Sequence, residues 1–311
     1  MRTLRFHECG PALDVLHLED AEVPTPGPNQ IRIAVRACGL NPADWALCGG
    51  LFPGDLPRGI GLEVSGTVDA IGADVTDVKA GDEVFGPAPF TGATAGASDY
   101  ALLDVRSPRP AGLGPVAAAA LPMAVETANH ALRVLGVREG TQGLTVLVHG
   151  AGTTVGYAAV QIALRHGARV IATAGRTYAD ALRALGAEVT SYGEGMAARV
   201  RELAGGPVDL ALDTAPVSNA LPEVIRTVRK PGDVLTVSDF AAATELGVRL
   251  QFGEDAQVED HTPVQSIYGQ LAADGTFSVP VAATFPVEDW RTAVGRSLSG
   301  RAGGKLVLLF D

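Results

Sequence analysis

The chain has 311 residues, 47% hydrophobic and 19% charged, which supports a large core and excludes global disorder. Lysine plus arginine number 24 against 35 acids, a net charge of −11, so no general nucleic-acid footprint is present and docking on anionic membranes is opposed. At roughly 100–200 residues per domain, the length corresponds to about two domains.

Residues 1 to about 115 are β-rich. Ile31 to Leu40 alternates apolar and polar residues at period two, as a half-buried strand does. Val64 to Gly72 repeats the pattern, and Asp82 to Gly86 follows a turn. Prolines 24, 26, 28, 42, 53 and 57 punctuate these runs, and short strands between turns predict a barrel-like all-β domain. Val116 to Leu135 is then alanine-rich with helical spacing, its alanine run broken by Pro122. Thr145 to Gly150 is a continuous apolar run, the mark of a strand buried on both faces. There follow a helix over Gly156–Gly167, a strand over Ala168–Ala174 and a helix over Ala179–Ala187. A strand over Val208–Ala215, a helix over Asn219–Val228 and a strand over Asp233–Asp239 complete the series. This alternation predicts parallel βαβ units. Beyond about residue 255, helices over Pro263–Gly275 and Val287–Gly300 precede a last strand, Gly303–Phe310. The expected organisation is a first domain over residues 1–118, a nucleotide-binding domain over 119–255 and a return to the first domain over 256–311.

Cys9, Cys38 and Cys48 form no C-x-x-C pair and cannot make a disulfide framework, so they are expected to be reduced thiols of a cytoplasmic protein. The opening MRTLRFHECG lacks the apolar stretch of a signal peptide, and no apolar run reaches about 18 residues. The chain is therefore expected to be soluble, without a membrane partner.

Gly150, Gly152 and Gly156 fall between a buried strand and a helix, with a second strand next in order. That is the context in which a glycine turn brings backbone and helix N-terminus against a dinucleotide pyrophosphate. The spacing G-x-G-x-x-x-G departs from the strict fingerprint. Thr153 and Thr154 stand where a glycine is usual, and their hydroxyls can bond phosphate oxygens; Val155 completes the turn. No acid appears at the end of the second strand before Asp180, but Arg176 does. A guanidinium there would pair with a 2′-phosphate, which favours NADP(H) over NAD(H), although Arg176 is also readable as a solvated loop charge. Tyr178 is a candidate for the adenine or the same phosphate.

Several stretches together resemble the zinc-independent medium-chain dehydrogenase/reductase family of quinone oxidoreductase type. These are GLNPADW (Gly39–Trp45), the segment Pro57–Gly86 with its G-x-E-x-x-G-x-V and GD-x-V spacing, LPMAVETANHAL (Leu121–Leu132), VDLALDTA, RKPGDVLTVS and the terminal GGKLVLLF. The resemblance implies an α/β chain: a GroES-like β-barrel catalytic domain plus a Rossmann domain with a doubly wound parallel sheet. It also implies an active site in the cleft between them and a homodimer. The positions that hold zinc ligands in the metal-dependent branch are filled by Asn41, Leu62 and, approximately, Met123, none of which suits zinc. The implied activity is metal-free hydride transfer from NADPH to a small apolar electrophile, a quinone or an α,β-unsaturated carbonyl. Two alternatives stay open: a dinucleotide-binding protein with a structural or regulatory role, and an enzyme of this fold acting on a specialised biosynthetic intermediate.

By the same resemblance Asn41 is an amide donor to the substrate carbonyl or nicotinamide ribose. Asp44 is either a cleft carboxylate or the cap of the following helix. Thr127 lies near the nicotinamide or is a packed helical threonine. Glu63 is a buried structural acid. Trp45 and Phe52 form an apolar substrate wall or belong to the core. Some members of that family carry a tyrosine shortly after the N-P-x-D segment; here WALCGGLFPG has none, so the proton donor is unassigned. His149 reads as a packed histidine, and Gly92–Ser98 as a small flexible loop at the cleft rim.

Overall fold

The computed structural model describes residues 1–216, 219–252 and 264–311. Two compact units emerge, residues 1–123 with 265–311, and residues 124–264. The expected boundary at 255/256, like the first residue of the helix expected from Pro263, lies outside the described residues.

The first unit opens with β1 (Arg2–Phe6), α1 (Ala12–Val15), β2 (Leu16–Asp20), β3 (Ile31–Leu40) and α2 (Pro42–Cys48). Then come β4 (Arg58–Gly59), β5 (Glu63–Ile71), β6 (Glu83–Pro87), β7 (Tyr100–Leu103), β8 (Ser107–Pro108) and α3 (Pro115–Ala119). The second unit takes up α4 (Pro122–Val134) from Ala124 onward. It continues with β9 (Thr145–His149), α5 (Thr154–Arg165), β10 (Arg169–Thr173), α6 (Arg176–Ala184), β11 (Glu188–Thr190) and α7 (Met196–Ala204). β12 (Leu210–Asp213), α8 (Leu221–Ile225), β13 (Val234–Thr236), α9 (Phe240–Leu246) and β14 (Arg249–Leu250) follow. The last stretch holds α10 (Val264–Ala273), β15 (Val281–Pro286), α11 (Trp290–Leu298) and β16 (Lys305–Leu309).

In the first unit the larger sheet runs β15-β16-β3-β5-β6-β8, with β7 also on β3, and a smaller one runs β2-β1-β4. The alternation read in β3 is real: Ile31, Ile33 and Val35 face the core, while Arg32 on the other face bonds Asp69. Register then decides chemistry. Gly39 stands opposite Glu63, and Leu306 opposite Leu40, so the chain's C-terminal strand brings Lys305 to the end of β3 where Asn41 begins the next helix. The core joins Leu4, Phe6, Leu16, Ile60, Val64, Leu103, Trp290 and Leu308.

In the second unit the parallel sheet runs β11-β10-β9-β12-β13-β14. Sequence order therefore runs outward in both directions from the β9/β12 pair. That reversal is the topological switch point, where open α/β sheets bind ligands beyond the strand C-termini. Its core gathers Leu147, Ile171, Val200, Val208, Ala211, Leu221 and Val234.

The structure details two sequence expectations. The helical stretch over 116–135 is two helices, α3 and α4, because Pro122 has no N–H to continue the first and instead opens the second. The Gly92–Ser98 segment is not a free rim loop throughout. Its second half is buried: Ala97 N–H donates to Ile60 O and its carbonyl accepts from Leu4 N–H, both at 2.9 Å, while Gly96 N–H donates to Gly61 O.

Candidate functional site

In the second unit, β9 ends at the switch point and the chain turns sharply through Gly150, whose φ is +78°. A side chain there is excluded twice over, by that left-handed backbone and by Ala215 N, which a Cβ would meet at 2.5 Å. Gly156 lets α5 close on the turn: a Cβ would stand 2.4 Å from Gly150 O and 2.5 Å from Thr214 Oγ1. Gly152 is less confined, its nearest neighbour being Tyr178 Cδ2 at 3.3 Å.

Thr153 is the N-cap of α5, its hydroxyl oxygen accepting from Gly156 N–H at 3.0 Å and lying 3.2 Å from Thr214 Oγ1. That hydroxyl is engaged within the turn. Thr154 and Val155 open the helix, where backbone N–H groups have no intrahelical acceptor and favour an anion. His149 is buried, with Nδ1 2.8 Å from Thr173 Oγ1, and burial pushes its pKa down to about 4. It is a neutral packed side chain. The same Thr173 oxygen accepts from Gly150 N–H at 3.1 Å and so braces the turn.

Arg176 is exposed as the first residue of α6 and makes no ion pair among the described residues. Tyr178 packs edge-on against Tyr157, ring centroids 5.8 Å apart, beside Gly152. Past β11 stands Tyr192, 61% exposed, its hydroxyl 3.7 Å from where a Cβ on Gly175 would be. Sequence reading missed it; an aromatic residue just after the third strand was the available signal. Thr127 is half-buried on α4.

The first unit holds a buried polar cluster. Asn41 is the N-cap of α2, and Asp44 closes a capping box. Both Asp44 oxygens accept backbone bonds, Oδ2 from Asn41 N–H at 2.7 Å and Oδ1 from Gly61 N–H at 2.8 Å. Of the two readings of Asp44, the cap accounts for Oδ2, while Oδ1 ties the start of α2 to the backbone at Gly61. Burial, opposed by these two bonds, pushes its carboxyl up to about 7.

Glu63, fully buried, accepts from Asn41 Nδ2 at 2.9 Å and from Met123 N–H at 2.8 Å. Lys305, only 2% exposed, donates to Glu63 Oε1 at 2.5 Å and to Asn41 Oδ1 at 2.6 Å. Burying a lysine is costly unless it is paired and hydrogen-bonded, and here both conditions are met. Lys305 was invisible as a functional candidate, since a lysine opening a terminal strand looks like a solvated charge. Gly39 makes room for the cluster: a Cβ there would meet Glu63 Oε1 at 2.5 Å.

Trp45 and Phe52 take different partners. Trp45 packs on the core and its Nε1 donates to Ser297 Oγ at 2.8 Å. Phe52 is exposed and pairs with Phe90, centroids 6.1 Å apart; Arg58 fixes both segments by donating to the carbonyls of Phe52 and Phe90. Among the described residues no group of three or more His, Cys, Asp or Glu is arranged to hold a metal. Leu62 is buried among apolar neighbours and the Asn41 amide is already bonded.

Comparison with known proteins fits this geometry. Residues 27–131 match the alcohol dehydrogenase GroES-like domain, and residues 154–274 the model described as zinc-binding dehydrogenase. The mouse quinone oxidoreductase is 37% identical over 180 residues, 56% of this chain and 53% of that protein. Erythronolide synthase EryA2 of Saccharopolyspora erythraea is 34% identical over 296 residues, 90% of this chain but 8% of the synthase. The quinone oxidoreductase structure from Coxiella burnetii superposes with a TM-score of 0.82 at 28% identity, covering 100% of this chain and 99% of that one. The chain thus spans about half of one curated relative and a small segment of another. No helix among the described residues is long and apolar enough to cross a membrane. A GroES-like unit followed by a parallel sheet with a glycine turn at its switch point, matched from end to end by quinone oxidoreductase structure, makes this chain a medium-chain dehydrogenase/reductase of the quinone oxidoreductase-like type.

Proposed function

We propose that the protein reduces a conjugated carbonyl, a quinone or an α,β-unsaturated ketone, with NADPH and without a metal. The observation that carries the reading is the turn at the β9/β12 switch point, where Cβ atoms at Gly150 and Gly156 would fall 2.4–2.5 Å from backbone atoms. So tight a strand–turn–helix at the switch point, with the N-terminus of α5 beside it, supports a pyrophosphate site. The backbone N–H groups of Thr154 and Val155 would hold its oxygens, while Gly152 keeps the approach open. Arg176, exposed and unpaired among the described residues, would take the 2′-phosphate, with Tyr178 beside it.

NADPH, when bound, would supply the hydride for the acceptor's β-carbon or quinone ring. The protein's task is to orient the acceptor and to stabilise the negative charge that collects on its carbonyl oxygen. Asn41 keeps one amide hydrogen unclaimed by Glu63 and would donate it to that oxygen or to the nicotinamide ribose. Solvent supplies the proton. Thr127, half-buried, would serve the nicotinamide, and the exposed Phe52 would offer an apolar face to the acceptor. Phe52, more than the core-packed Trp45, suits that role.

A second reading keeps the chemistry and changes the acceptor to an unsaturated intermediate of polyketide assembly. The 34% identity to a 296-residue stretch of erythronolide synthase favours it. NADPH consumption by the purified protein with a panel of quinones, enones and thioester-activated enoyl compounds, with and without chelator, tests both. Turnover unaffected by chelator supports the proposal, and the preferred acceptor chooses between the readings.

A further inference from the structure

We infer that Lys305 is a positioning residue for the reaction: it fixes the Asn41 carboxamide so that an N–H, not the carbonyl, is left for the ligand. The inference rests on the proposed role of Asn41. A free asparagine side chain presents donor and acceptor edges alike, because its amide can turn over by half a rotation. A site that must stabilise a developing oxyanion needs the donor edge alone.

In the first unit the choice is made by charge. The Lys305 ammonium has only donors to offer and sits 2.6 Å from Asn41 Oδ1, so that position can hold only the amide oxygen. Glu63, an acceptor when ionised, lies 2.9 Å from Asn41 Nδ2 and can be met only by the amide nitrogen. Reversing the amide would set N–H against ammonium and carbonyl against carboxylate, in a place where Lys305 and Glu63 are almost wholly buried. Of the two Nδ2 hydrogens Glu63 takes one, and the other has no acceptor among the described residues. Glu63 is held in turn by Met123 N–H. Lys305 itself is delivered by β16, whose register against β3 sets it beside Asn41 across 264 residues of sequence.

Removing Lys305 alone would strand a buried carboxylate and risks unfolding, so the test pairs Lys305→Met with Glu63→Gln, which removes both charges together. Melting temperature, NADPH affinity, kcat and KM are measured for this double variant, for Asn41→Ala, and for all three changes combined. Loss of one aligned donor corresponds to about a tenfold fall in kcat/KM, and this is expected for Asn41→Ala and for the double variant alike. In the Asn41→Ala background the Lys305/Glu63 change is expected to cost nothing more, while any fall in melting temperature persists in both backgrounds. Equal losses in both backgrounds would make Lys305 merely structural and overturn the inference, as would an undiminished kcat/KM in the double variant beside an impaired Asn41→Ala. If Asn41→Ala itself is fully active, the role given to Asn41 fails first. Independently of turnover, the side-chain amide resonances of Asn41, identified by their loss in Asn41→Ala, are expected to shift and broaden in the double variant; unchanged resonances would show that Lys305 does not hold the amide.

Discussion

Replacing Gly156 with alanine isolates the contact on which the cofactor turn depends. The added Cβ would stand 2.4 Å from Gly150 O, 2.5 Å from Thr214 Oγ1 and 2.9 Å from Ala151 Cα. Two of those neighbours are backbone, so α5 must withdraw by roughly 1 Å, and overpacking of this kind costs about 1–3 kcal/mol. The withdrawal also pulls Gly156 N–H from the Thr153 hydroxyl that caps the helix at 3.0 Å. At about 2–4 °C per kcal/mol for a unit of this size, the melting temperature should fall by roughly 2–12 °C. Gly152→Ala is the matched control. Its Cβ would meet only the Tyr178 ring edge at 3.3 Å, which a side chain can relieve, so the melt should stay close to that of the unaltered protein. NADPH binding should nevertheless weaken in both variants, since each puts a methyl or a displaced helix where the pyrophosphate approaches. Thermal melts and fluorescence titration with NADPH give the two numbers. A Gly156→Ala protein that melts and binds like the original would refute the reasoning.

Arg176→Ala should weaken NADPH about 10- to 100-fold, the loss of one charge-assisted bond, and leave NADH nearly unchanged; equal losses for both cofactors would show that Arg176 does not read the phosphate. Asp44→Ala leaves the buried N–H groups of Asn41 and Gly61 without acceptors and should destabilise the first unit by about 2–5 kcal/mol in urea titration. His149 has a folded pKa of about 4 against an ordinary 6.5, so between those values the unfolded chain binds the extra proton. Stability should therefore be lost as pH falls from 6.5 towards 4, by about 3 kcal/mol from this group, with no contribution above that window. His149→Gln should flatten that part of the profile, and an unchanged slope would contradict the burial argument.

Much of this architecture is legible in the residues because local pattern and global fold agree. β3 spans Ile31–Leu40; its alternation is legible over Ile31–Arg36, where one face is core and the other more open, while Ala37–Leu40 is buried throughout. β9 and the glycine turn are readable because a strand buried on both faces is continuously apolar and the turn tolerates no side chain at Gly150. The break at Pro122 is legible as well, because proline removes the N–H that a continuing helix needs. The hairpin of β1 and β2 is not legible, because its alternating polar residues are paired through Arg5 and Glu19 only after folding. The role of Asp44 is ambiguous in sequence for a physical reason: a carboxylate three residues into a helix serves as cap or as site acid with the same chemistry. Lys305 and Ser297 show the other limit. Their partners Asn41 and Trp45 lie more than two hundred positions away, and only the register of β16 and the packing of α11 bring them together.

Hydride transfer itself can be followed with NADPH carrying deuterium at the transferring carbon and an enone acceptor turned over in ordinary water. The product should carry one deuterium at the former β-carbon and hydrogen from solvent at the α-carbon, with yield unaffected by chelator and sharply reduced by Gly156→Ala. Binding of NADPH at the glycine turn without deuterium reaching any quinone or enone would contradict the reductase assignment.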